Sequence, residues 1–235
     1  MREILPPKHP DIASNLNNLG AAYSDNGETN KGIEYYNEAL AIRREVLPSK
    51  HPDIVSSLNN IGNAYRANGE TNKAIEYYSE AFAIRSEFLP AKHPDIASSM
   101  NNLGAAYTDN GMTNNAIEYF NESLAIRREI LPGKHTDIAS SLNNLGVAYG
   151  ANGEANKAIQ SHNEALAMRK QILPHNHPAI GDSYFNLGII FRSLGNDQLS
   201  LENFAFAYSI YLFSLPSSHV KIQNTEAALA SLRLS

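Results

Sequence analysis

An all-α fold of antiparallel helix pairs, stacked one on the next, is predicted for this 235-residue chain by three features. Histidines at 9, 51, 93, 135, 177 and 219 recur at a constant interval of 42. Residues 9–50 and 51–92 are identical at 30 of 42 positions, so adjacent units must fold alike and offer each other nearly the same faces. All 11 prolines fall in or beside one phase of that interval, where they punctuate repeats rather than domains.

The elements follow in order within one repeat domain, 1–235. Residues 1–8, MREILPPK, match RREILPGK at 127–134, the tail of a second helix. The chain is thus expected to open inside a unit, as a piece of a longer array or with a vestigial cap. Five units follow at 9–50, 51–92, 93–134, 135–176 and 177–218. In the first, His9-Pro10-Asp11 starts helix A, with proline in the turn where its missing N–H costs nothing and an acid near the positive end of the dipole. Helix A ends at Asn26-Gly27, the glycine supplying a left-handed cap, and the pair recurs at 68–69, 110–111 and 152–153. Helix B starts near Thr29 or Asn30 and runs through IEYYNEALAIRREVL to the next proline. So short a link makes the two helices antiparallel. In the fifth unit Tyr211, Leu212 and Phe213 replace charged residues of the earlier helices B, creating an apolar surface. Residues 219–235, HVKIQNTEAALASLRLS, keep the histidine register and are expected to close over it as a capping helix. If they leave it bare, a partner or a second copy of the chain would cover it.

Composition narrows the function classes. A net charge of −5, with Lys and Arg interleaved with Glu on the same helices, argues against nucleic acid as a partner. No apolar run approaches the ~18 residues needed to cross a bilayer, and the N-terminus lacks a signal-peptide core. With no cysteine, a disulfide framework is excluded, and a soluble chain in the cytoplasm is the expectation.

The phrase SNLNNLG, repeated as SSLNNIG, SSMNNLG and SSLNNLG, holds the binding candidates. At 100° per residue, Ile12, Leu16, Leu19, Gly20 and Tyr23 form one packing stripe of helix A. Paired asparagines fall on the other side, although asparagine is a mediocre helix former. An amide offers an acceptor and two donors, which suits the main chain of an extended peptide. Helices packed about 8–10 Å apart would place one asparagine near every third residue of a peptide rising ~3.3 Å per residue. The second members, Asn18, Asn60, Asn102, Asn144 and Asn186, are the stronger candidates. The first members, Asn17, Asn59, Asn101 and Asn143, lie nearer the edge of the polar face, and Phe185 takes that place in the fifth unit. Some of these amides could instead bond to one another between adjacent helices A. On the same face the units differ at three positions, spaced i, i+3 and i+4. Asn63, Arg66, Asp109 and Arg192 stand at these positions and, with Phe185, are the candidates for side-chain preference.

The spacing Leu19-Gly20, Tyr23, Gly27, Tyr36 and Ala39, repeated as Leu103-Gly104, Tyr107, Gly111, Ala116, Phe120 and Ser123, resembles the tetratricopeptide repeat. The 42-residue length, HPDIA opening and LNNLG phrase resemble the longer repeats of kinesin light chains. That resemblance implies a right-handed superhelical solenoid whose helices A line a concave groove that holds an extended peptide. It does not carry over the kinesin cargo preference, because grooves of that type are lined with several Lys or Arg. Here helix A has Arg66 and Arg192 against Asp25, Asp109 and Asp182.

Other sites are rejected. Six histidines roughly 10 Å apart cannot share a zinc whose ligands stand about 4 Å from each other, so no metal or other cofactor is expected. Capping and junction packing explain them better. His162, at the position of Tyr36, Tyr78 and Phe120, is expected to pack inside helix B. No nucleophile, metalloprotease or phosphate-loop motif occurs, so an enzyme is not expected. The sequence therefore points to a non-enzymatic scaffold for a protein or peptide ligand, without nucleic acid or membrane. The alternatives are a regulatory segment of a larger signalling protein and an oligomerisation module joined through the C-terminal apolar surface.

Overall fold

The computed structural model describes residues 8–233, apart from the side chain of Arg233; the expected helix tail at 1–8 lies outside that range but for Lys8. Among the described residues there are eleven α-helices and no strand. Helices A are α1 (Pro10–Asp25), α3 (Pro52–Ala67), α5 (Pro94–Asp109), α7 (Thr136–Ala151) and α9 (Pro178–Ser193). Helices B are α2 (Thr29–Val46), α4 (Thr71–Phe88), α6 (Thr113–Ile130), α8 (Ala155–Ile172) and α10 (Asp197–Ser214). Helix α11 (Val220–Arg233) follows. Backbone contacts group the chain into two compact units, 1–112 and 113–235. In the first, α1 to α5 each pack on the next; in the second, α6 to α11 do the same.

Every register histidine caps a helix A or α11. The Nδ1 atoms of His9, His51, His93, His135, His177 and His219 accept from the backbone N–H two residues on, at 3.1–3.2 Å. That satisfies a donor the first turn leaves unpaired. At the other end Gly27, Gly69, Gly111 and Gly153 adopt positive φ of 74–84°. Backbone bonds such as Glu28 N–H to Tyr23 O, 2.9 Å, close the helix over them.

Within the pairs α1–α2, α3–α4, α7–α8 and α9–α10 a helix A glycine receives a ring from helix B. A Cβ on Gly62 would lie 2.7 Å from Tyr78, on Gly146 2.7 Å from His162 and on Gly188 2.7 Å from Phe204. The rings of Tyr78, Phe120, His162 and Phe204 are buried, as the His162 expectation required. The stripe expected on helix A differs in one place. Leu19 is 45 % exposed, whereas its counterparts Ile61, Leu103, Leu145 and Leu187 are buried.

Helix B of one repeat is tied to helix A of the next by an arginine. Arg43, Arg85, Arg127 and Arg169 donate to the hydroxyls of Ser57, Ser99, Ser141 and Ser183 at 2.6–2.8 Å. Each also reaches the backbone carbonyl four residues before that serine. Burial pulls Arg85, Arg127 and Arg169 below the usual guanidinium range.

At the C-terminal end α11 packs on α10 and buries Tyr211 with Ala207 and Ile222. Leu212 and Phe213 remain 51 % and 72 % exposed. The expected closure over all three is therefore corrected to Tyr211 alone, because neighbouring positions on a helix point about 100° apart. Among the described residues no helix is long and apolar enough to cross a membrane.

Candidate peptide-binding face

The asparagine pairs form bonds between successive helices A. In the first unit Asn60 Nδ2 donates to Asn17 Oδ1 at 2.9 Å, and Asn102 Nδ2 to Asn59 Oδ1 at 3.4 Å. In the second unit Asn186 Nδ2 donates to Asn143 Oδ1 at 3.2 Å. Asn59 also donates to its own Val55 carbonyl at 2.9 Å, and Asn143 accepts weakly from Arg169 at 3.5 Å. The first asparagine of each of these pairs is thus occupied as acceptor. The second, as Asn60, Asn102 and Asn186, spends one N–H and keeps an Oδ1 and another N–H, half-buried on the helix A face. Asn18 is exposed, and Asn101 and Asn144 both have interaction partners.

The variable positions are partly paired as well. Arg66 Nε donates to Asp109 Oδ2 at 2.5 Å, which neutralises both within the first unit. Tyr78 donates its hydroxyl hydrogen to Asn63 Oδ1 at 2.5 Å. Phe185 is half-buried with its ring tilted against Phe204, 5.3 Å between centroids. Arg192 is exposed at the end of α9.

Two pockets open at the same register of this face. In the first unit about 310 Å³ lies among Asp25, Tyr36, Asn60, Asn63 and Ala67. In the second, about 340 Å³ lies among Gly150, Ala151, His162, Asn186, Ile189 and Ser193. Asp25, Tyr36, Asn60, Asn63 and Ala67 stand 126 residues, three repeats, before Ala151, His162, Asn186, Ile189 and Ser193. A third pocket, of about 290 Å³, lies beside Phe185 and Asn186, where Asp182 accepts from the Tyr211 hydroxyl at 2.6 Å and from Lys221 Nζ at 2.7 Å. Burial and that carboxylate raise the Tyr211 hydroxyl far above the usual phenol range. Sequence reasoning passed over the arginine–serine tie, although its marks are in the chain: Arg at a fixed register, and Ser 14 positions on, four times.

The tetratricopeptide repeat profile matches residues 11–87, 53–129, 95–171 and 137–212. The chain belongs to the tetratricopeptide repeat family. No curated protein matches its sequence. Among solved structures, this tetratricopeptide repeat chain is similar to the nearly identical TPR-like repeats of a Podosopora anserina protein assigned as a kinesin light chain. The two share 27 % identity over 88 % of this chain and 98 % of the other, with a TM-score of 0.73. BtubC (BKLC) from P. vanneervenii is 23 % identical over 87 % and 81 % of the two chains, TM-score 0.73. The apo form of RapI is 20 % identical over 94 % and 84 %, TM-score 0.71. At those identities the latter two speak to fold alone. Repeats of this family in general serve as protein-interaction scaffolds.

Proposed function

We propose that in each compact unit the helix A face captures an extended segment of a partner protein, with the second asparagine of each pair bonding to the ligand main chain. The observation that carries this is the half-used amide: one N–H holds the preceding repeat, while an acceptor and a donor are left on the open face. Fixing the amide by its first bond orients the remaining groups, so little freedom is lost when a ligand binds. Arg192 adds a site for an acidic ligand residue; Arg66 does not, since Asp109 neutralises it. A structural neighbour, a Rap protein, is complexed with competence and sporulation factor, which supports ligand capture by this fold class. On this reading the chain is a non-enzymatic scaffold working in the cytoplasm, without nucleic acid or membrane as partners.

The test uses matched variants against a display library of 12-residue peptides. Asn60→Ala, Asn102→Ala, Asn186→Ala together remove the ligand-facing groups; Asn17→Ala, Asn59→Ala, Asn143→Ala remove the same inter-repeat bonds but keep them. The first triple loses peptide binding by about ten-fold or more and the second retains most of it. Equal losses in both would reduce the asparagines to structural glue. The exposed Leu212 and Phe213 favour a second reading, self-association through the C-terminal surface. Light scattering of the parent and of Phe213→Asp decides it, and two monomers would end it.

A further inference from the structure

We infer that the apolar pocket of the second unit is an anchor site for a phenol, such as a tyrosine side chain of the bound segment, with the His162 imidazole as its hydrogen-bond partner. This deepens the peptide-capture reading and rests on it. His162 is 1 % exposed and borders the pocket; its Nδ1 is sealed and has no hydrogen-bond partner, so the imidazole can meet a ligand only through its Nε2 edge. Buried polar groups are satisfied in the great majority of cases, so an imidazole without a hydrogen-bond partner in the wall of an open cavity is a group awaiting a ligand. Burial, and Arg169 nearby, push its pKa down to about 4, so the ring is neutral at ordinary pH, with one donor and one acceptor. A phenol hydroxyl both donates and accepts, and satisfies either tautomer.

The chain contains its own comparison. The pocket at the same register in the first unit has Asp25, Asn63 and a full tyrosine, Tyr36, where the second has Ala151, Ile189 and His162. Tyr78, in the repeat between, satisfies its hydroxyl on Asn63. In the fourth repeat Val147 stands at the Asn63 position, so the ring nitrogen gains no such partner from its own helix A. What remains is an apolar cavity of about 340 Å³ with one polar wall and the spare amide groups of Asn186 at its rim. Small-molecule sites typically combine an apolar lining with a few placed polar groups and start near ~300 Å³.

The experiment titrates the folded chain with p-cresol and, separately, with toluene, which lacks only the hydroxyl. Binding is read from the ring resonances of His162 and the methyl resonances of Ile189 and Ile190. In the parent, p-cresol perturbs all three residues and binds more tightly than toluene. His162→Phe is compatible with the packing, since Phe204 occupies this register over Gly188. It removes the hydrogen-bonding wall and lowers the p-cresol to toluene affinity ratio about ten-fold. Ala151→Asp, which installs the residue found at 25 and 109, weakens both ligands. Absence of perturbation at these residues in the parent, or an unchanged ratio in His162→Phe, overturns the inference. Peptide capture that survives such a result, and still depends on Asn60, Asn102 and Asn186, leaves the broader reading standing.

Discussion

Removing the serine of an arginine–serine tie should cost more than removing the arginine. Arg127 is 7 % exposed and donates to Ser141 Oγ at 2.6 Å and to the Asp137 carbonyl at 3.1 Å. In Ser141→Ala the guanidinium stays buried with one partner gone, and a hydrogen bond to a charged group is worth about 1.5–3 kcal/mol. In Arg127→Met the buried charge disappears and most of the stem packing is kept. Ser141 is then free to bond the carbonyl four residues back, as Ser183 does to Ala179 at 3.4 Å. Replacing a buried ionic group with an apolar one of similar volume is often close to neutral, so about 1 kcal/mol is expected for Arg127→Met against about 2 for Ser141→Ala. The double variant should resemble Arg127→Met, giving a coupling of about 2 kcal/mol. Urea unfolding measures these differences, with amide exchange in α6 and α7 as the local readout because repeat arrays need not unfold as one unit. Costs that simply add, with coupling below about 0.5 kcal/mol, would refute the argument.

Gly146→Ala brings a methyl 2.7 Å from His162, whose ring is packed in place, and should cost about 1–3 kcal/mol in the same unfolding assay. Gly69→Ala forces a side chain onto a φ of +78° with open space around it, so the expected cost is about 1 kcal/mol of backbone strain alone. Because His162 protonates near pH 4 when folded and near 6.5 when unfolded, the unfolded chain binds more protons between those values. The contribution to stability is complete above pH 6.5 and falls by up to about 3 kcal/mol toward pH 4. Unfolding midpoints of parent and His162→Phe across that window should differ in slope, and parallel curves would contradict the burial argument.

Much of the fold was legible because its punctuation is local chemistry. A histidine two residues before an N–H it can accept from, a proline in the first turn and a glycine after the last act over a few residues, and repetition multiplied each mark four- to six-fold. The candidate face was legible in outline for the same reason: helical geometry alone puts the asparagines opposite the packing stripe. Their division of labour was not. That the first amide is occupied, that Arg66 is neutralised by Asp109, and that Leu19 and Phe213 lie open depend on which helix stands alongside.

The sequence by itself determined the helices, their ends and their order, because these depend on residues within one or two turns of each other. Only the tertiary structure decided which polar groups are spent and which are spare. A hydrogen bond between residues about 43 positions apart exists only when two helices meet at one angle and one height, and no single helix holds that information.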